Sequence, residues 1–191
     1  MRVPPPSRRV ALQQIGLSAL AALLTGAMPF GAALAEEEAS WRFYRNAVPP
    51  FQILYPAKLT TRHVGKRIAP DATLVQEWQL PGGAGDIRLT TVDGSAGGNV
   101  LDWIQKHVGG NAVQADIAGL RGASIESLAD GVYATAIYLD EPKSDKVIGF
   151  TLSIRNQPPG TTLTQAQLAN RAAVTEFWRM VESIDLGGDR G

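Results

Sequence analysis

The sequence predicts an α+β fold: an antiparallel β-sheet with helices packed on its faces. Three observations carry this. Short runs of β-type residues follow one another without a helix between most of them, so a regularly alternating, doubly wound sheet is excluded. The run Val147 to Ile154 alternates in period two, with Ile148, Phe150, Leu152 and Ile154 on one side and Gly149, Thr151 and Ser153 on the other. Two stretches, 99–110 and 164–184, carry apolar residues at helical spacing.

The elements follow in order. Trp41 to Tyr44 reads as a short strand after a polar tail, Glu36 to Ser40. Pro49 and Pro50 mark a turn, and Phe51-Gln52-Ile53-Leu54-Tyr55 is a strand stopped by Pro56. Leu59 to Val64 extends or follows it. Leu74 to Leu80 and Ile87 to Val92 form a hairpin around the turn-rich Pro81 to Asp86. Asp93 to Gly98 is a glycine-rich loop. Asn99 caps a helix whose buried face holds Val100, Leu101, Trp103, Ile104 and Val108, and Gly109-Gly110 ends it. Three β segments follow: Val113 to Leu128 with glycine breaks, Val132 to Leu139, and Val147 to Ile154. Val132 to Leu139 is apolar on both faces and should be a central strand. Asp140 to Asp145 is the turn between the last two. One long helix closes the domain, with Thr164 and Gln167 as a capping box. Its stripe is Leu168, Ala172 or Ala173, Phe177, Val181 and Ile184. The helix ends near Ser183, and Ile184 to Leu186 adds a short edge strand.

The first 35 residues read differently. Arg2, Arg8 and Arg9 precede any acid, a short apolar run spans Ile15 to Leu24, and Ala33-Leu34-Ala35 offers an A-x-A site. That is the order of a secretory signal peptide, with cleavage between Ala35 and Glu36. A spanning helix needs ~20 mostly apolar residues, and Gln13, Gln14 and Pro29 interrupt this run. An uncleaved anchor is the alternative. Ser7-Arg8-Arg9-Val10-Ala11-Leu12-Gln13 keeps the Ser, both Arg and the Leu of a twin-arginine export signal, and lacks its aromatic and its Lys. The general secretory route is the other option. The expected product is one globular domain, residues 36–191, periplasmic or secreted, with no stable membrane insertion.

Three of the eighteen cations belong to the leader, so the remainder has fifteen against eighteen acids, a formal charge of −3. Such a balance holds no polyanion, and nucleic acid is excluded as a partner. The chain has no cysteine, which removes disulfides, thiolate metal sites, thiol catalysis and a lipidated cysteine.

An aromatic strand, then Phe51-Gln52-Ile53-Leu54-Tyr55-Pro56, a hairpin, a helix with Trp103, three antiparallel strands and a terminal helix leading to Val181-Glu182-Ser183-Ile184 resembles the PsbP-like superfamily over roughly residues 41–186. Members commonly continue the first motif with Gly-Trp, where this chain has Ala57-Lys58-Leu59. The resemblance implies an α/β/α sandwich, an antiparallel sheet with helices over both faces. Its members include an extrinsic subunit of the photosynthetic oxygen-evolving complex, a Ran-binding transport factor and many uncharacterised bacterial envelope proteins. It implies a non-enzymatic binding or assembly role and transfers no catalytic residue.

Side chains with chemistry are sparse. His63 and His107 are the only histidines, and neither has a second ligand at metal spacing. Ser95 sits in Asp93-Gly94-Ser95-Ala96-Gly97, where Asp93 occupies a position that a nucleophile elbow reserves for glycine. Gly82-Gly83-Ala84-Gly85 has neither the spacing nor the following helix of a nucleotide loop. Asp140, Glu141 and Asp145 read as a solvated hairpin tip. Trp41, Trp78, Trp103 and Trp178 sit at core phases. No catalytic, cofactor-binding or metal-ligating residue is assigned, and no cofactor is expected. The densest basic stretch, Lys58, Arg62, His63, Lys66 and Arg67, is the tentative interaction patch, suited to an acidic protein face or lipid headgroups. The expected function is an exported binding or accessory protein of the cell envelope, serving an envelope protein or small ligand. A periplasmic hydrolase with an unrecognised active site is the alternative.

Overall fold

The computed structural model describes residues 40–186, apart from 95, 98 and 142. The leader, with Arg8, Arg9 and the Ala35–Glu36 junction, lies outside the described residues, as does Ser95.

Among the described residues the order is β1 (Trp41–Ala47), β2 (Pro50–Pro56), β3 (Thr60–Arg67), β4 (Ala72–Gln79), a 3-10 turn (Pro81–Gly83), β5 (Gly85–Asp93), α1 (Val100–His107), β6 (Ala112–Gln114), β7 (Gly122–Ala129), β8 (Val132–Glu141), β9 (Lys146–Ile154), α2 (Leu163–Ala169) and α3 (Arg171–Glu182). β1 and β2 form an antiparallel pair of their own. The other seven strands make one antiparallel sheet in the order β3-β4-β5-β9-β8-β7-β6.

Period-two alternation assigns the sheet's two faces. Tyr133, Ile137 and Leu139 of β8 join Ile148, Phe150, Leu152 and Ile154 of β9, and Ile87 and Leu89 of β5, in the main core. The β1–β2 pair, α2 and α3 cover that face, with Phe51, Ile53, Ala166, Phe177, Met180 and Val181 packed inward. The opposite face receives α1, whose Val100 and Ile104 meet Ala123, Ile125 and Tyr138. β8 lies between β7 and β9, central as its two apolar faces predict. Trp78 is fully buried, and Trp41, Trp103 and Trp178 pack partly buried against the two cores.

Four expectations need correction. The segment read as continuous from Val113 to Leu128 is two strands, broken by a tight turn. There Ile117 and Leu120 exchange backbone hydrogen bonds of 3.1 and 2.9 Å around Ala118 (φ 52) and Gly119 (φ 79). Two successive left-handed residues are the signature of a type I′ turn. The terminal helix is two helices, because the Asn170 side-chain amide donates to its own Ala166 carbonyl at 2.8 Å and to Gln157 Oε1 at 3.2 Å, a local bond that competes with helix continuation. The capping box forms at Thr162 and Gln165, not at Thr164 and Gln167. The tip Asp140–Asp145 is not wholly solvated: β8 runs on through Glu141, and Asp140 and Glu141 are 3% and 6% exposed. Ile184–Leu186, expected as a short edge strand, makes a single isolated bridge to β2, Gln52 to Asp185.

Candidate functional site

The buried pair Asp140-Glu141 lies where several connections meet at one end of the sheet. Pro50, Gly97, the turn 118–121, Asp140, Glu141, Lys143, Ser144 and Leu186 line a half-open cavity of about 750 Å³, within the ~300–1,000 Å³ typical of small-ligand sites.

Each wall is fixed by a local device. In the β6–β7 turn, the Asp116 carboxylate accepts the Gly122 N–H at 3.0 Å, and Leu120 plugs into the main core. At the β8–β9 tip, Glu141 accepts the N–H of Lys143 at 3.3 Å and of Ser144 at 3.0 Å, one on each oxygen. Asp140 joins two more segments. Its own N–H donates to the Arg121 carbonyl at 2.9 Å, and its carboxylate accepts the Ala96 N–H at 2.7 Å. Burying a carboxylate costs several kcal/mol unless donors surround it, on the order of the effective penalty for any desolvated ion, and here backbone amides serve that purpose. The carboxylates therefore shape the cavity. Arg121 and Lys143 stand exposed at its rim. No histidine is among the lining residues, and the Ser144 hydroxyl donates to a backbone carbonyl, that of Glu141, at 3.4 Å.

The sequence-predicted basic stretch is placed elsewhere. β3 is an edge strand with seven of its eight residues exposed. Successive side chains alternate faces, so Arg62 and His63 diverge, as do Lys66 and Arg67, and a bulge shifts the register between His63 and Lys66. Lys58 forms a 2.6 Å ion pair with Glu176 of α3. Arg67 donates to the carbonyls of Ala69 and Pro70 and lies 3.6 Å from Asp93. Arg62 sits opposite Glu77. The stretch shares one rim of the sheet without converging on a point.

His107 lies in the last turn of α1, stacked on Trp103 with centroids 4.8 Å apart. Among the described residues no three His, Asp or Glu stand close enough to hold a metal ion. Nor is any helix among them long and apolar enough to cross a membrane. Asp86, read as part of a turn, is 2% exposed on β5, with Arg88 Nε 2.9 Å away and Arg155 as a second ion-pair partner.

The two ends of the sequence resemblance meet in space. Phe51, Ile53 and Pro56 are buried on β2, and the Ser183 hydroxyl, beside buried Ile184, accepts the Leu54 N–H at 2.8 Å. The solution structure of cyanobacterial PsbP from Synechocystis superposes with a TM-score of 0.50 at 15% identity, covering 77% of this chain and 92% of that one. The fold is PsbP-like. A crystal structure from Bacteroides thetaiotaomicron aligns at a TM-score of 0.44 and 12% identity, over 80% of this chain and 50% of that chain. No family model and no curated protein matches the sequence. The cavity belongs to the connections at one end of the sheet.

Proposed function

We propose that the protein is an exported, non-enzymatic binding or accessory protein of the bacterial cell envelope, and that a small ligand or a partner's side chain enters the cavity beside Asp140 and Glu141. One observation carries the reading: the two buried carboxylates accept backbone amides that hold the loop before α1 and the β8–β9 tip in place. They form a preorganised recess, with no histidine or activated nucleophile among its lining residues. The likeness to the PsbP fold and the role implied by the sequence resemblance point the same way. The leader pattern at residues 1–35 supports export, by a twin-arginine or general secretory route.

Native mass spectrometry of the purified protein tests for a co-purified small molecule, and cross-linking in envelope extracts tests for a protein partner. Ser144→Trp, which fills the cavity mouth, should abolish the captured species. The β3 rim is the competing surface, favoured by its exposure, and Lys66→Glu with Arg67→Glu should abolish capture if it carries the contact. Robust turnover in a broad substrate panel would replace this reading with the hydrolase alternative. Replacing Arg8 and Arg9 by Lys blocks export only on the twin-arginine route.

A further inference from the structure

Among the described strands β1 pairs with β2 alone, in a register that runs from Trp41–Pro56 to Ala47–Pro50 without a bulge. The hydrogen-bond phase follows from β2. Gln52 N–H donates to the Asp185 carbonyl and Leu54 N–H to the Ser183 hydroxyl, both at 2.8 Å and both away from β1. Their cross-strand partners, Arg45 and Phe43, thus belong to non-hydrogen-bonded pairs, and the N–H and C=O of these two residues point outward from the open side of β1. We propose that this edge takes up an extended, acidic segment of a partner protein as a third strand. No residue of β1 lines the recess beside Asp140 and Glu141, so this contact is a second site, independent of the first.

Charge selects the occupant. Arg42 and Arg45 are exposed, and neither has an ion-pair or hydrogen-bond partner among the described residues. They stand on opposite faces of the strand, so each face of an added strand meets a cation. Arg179 of α3 brings a third guanidinium to this neighbourhood, 4.7 Å from the centre of the Trp41 ring. Asp185, the acid bridged to β2, is engaged by Gln52 Nε2 at 3.0 Å. A second copy presenting the same edge would add like charge, whereas an acidic strand brings the complement. Phe43, 71% exposed, lies between the two arginines and offers an apolar anchor. Directly opposed side chains interact across a strand pair. An antiparallel segment therefore reads acid, any residue, apolar, acid from the position facing Arg45 to the position facing Arg42. β3 is exposed as well, but a bulge interrupts its register and Arg67 is engaged by the carbonyls of Ala69 and Pro70.

The probe is a capped heptapeptide, S-E-T-V-E-T-S, titrated into the purified protein and followed by amide NMR. The N–H signals of Phe43 and Arg45 should move downfield and exchange more slowly with deuterium as the peptide binds. Those of Arg42 and Tyr44, which face β2, should hold their protection. N-methylation of the valine, whose N–H faces the Phe43 carbonyl, should weaken binding about tenfold or more. N-methylation of the threonine before it, whose N–H points away from β1, should leave binding unchanged. Arg42→Glu combined with Arg45→Glu should lose the acidic peptide and bind S-K-T-V-K-T-S instead, an exchange that an unfolded variant would not show. Equal affinity of the two N-methyl peptides would overturn the proposal, as would an absence of shifts at Phe43 and Arg45 or shifts centred on Asp140 to Ser144. A dimer of the protein alone, seen by sedimentation and dissolved by the double variant, would give the edge to a second copy and overturn it too.

Discussion

The carboxylate of Asp140 accepts the backbone N–H of Ala96 at 2.7 Å, so a buried anion at the end of β8 anchors the loop that precedes α1. Removing it strands a donor as well as deleting a bond. Asp140→Ala should therefore lower stability by about 1–3 kcal/mol, measured by urea denaturation. The Ala96 amide should also exchange faster with deuterium. Unchanged exchange would mean that the loop is held by other contacts.

A half-buried carboxylate, Glu126, paired with the buried Tyr133 governs the alkaline side. Tyr133 Oη donates to Glu126 Oε1 at 2.9 Å, and Gln167 donates to the other oxygen. Burial first, then the hydrogen bond and the negative charge of Glu126, push the Tyr133 phenol well above the usual tyrosine range. A pKa raised on folding means the neutral phenol favours the folded state. Its contribution is complete below the ordinary value of about 10 and is lost as pH rises from there towards the folded value. Stability measured across that interval should fall in the wild type and fall less steeply in Tyr133→Phe. At neutral pH the variant should be less stable by about 1 kcal/mol.

The helix start offers a sharp comparison. Thr162→Ala should cost about 0.5–2 kcal/mol, as expected for loss of an N-cap, because its hydroxyl accepts the Gln165 N–H while Gln165 returns a bond to Thr162. Thr164→Ala, at an exposed position inside the helix, should stay within about 0.5 kcal/mol. Thermal melts of the two variants decide it, and a reversed order would move the cap back to Thr164.

Glycines separate into crowded and merely strained positions. A Cβ on Gly85 would lie 1.9 Å from the Ser153 carbonyl oxygen, on the backbone of β9, whereas one on Gly82 would meet nothing within 4 Å but sit at φ +67. Gly85→Ala should destabilise by about 3 kcal/mol or more, a loss reserved for real clashes. Gly82→Ala should cost about 1–2 kcal/mol from its left-handed backbone. Equal melting temperatures would contradict the β5–β9 spacing.

These contrasts also mark where sequence patterns run out. β9 was legible because successive strand residues point to opposite faces, and Ile148 to Ile154 alternates large apolar residues with Gly, Thr and Ser. The helix cap was ambiguous because 162–167 contains T-x-x-Q twice. The choice is tertiary: Ala166 is buried, and Gln167 is committed to Glu126 on β7. The break at Asn170 depends on Gln157, thirteen residues away. The cavity left no trace in composition, since Asp140 to Asp145 has the polarity of any turn. Only the register Glu141 to Lys146 shows that β8 continues into it and carries two acids inside. The basic stretch was legible as charge, while its spread along a strand edge follows from pleat and bulge geometry.

The placement of β3 has a consequence for how copies of the molecule meet. An open sheet margin can template fibril growth by recruiting an unpaired strand. Here one margin carries Arg62, Lys66 and Arg67, and the other is β6, only three residues long. Two copies approaching margin to margin face like charge on one side and almost no free backbone on the other. Replacing those cations with threonine or valine would convert a guarded border into a nucleus for cross-β stacking.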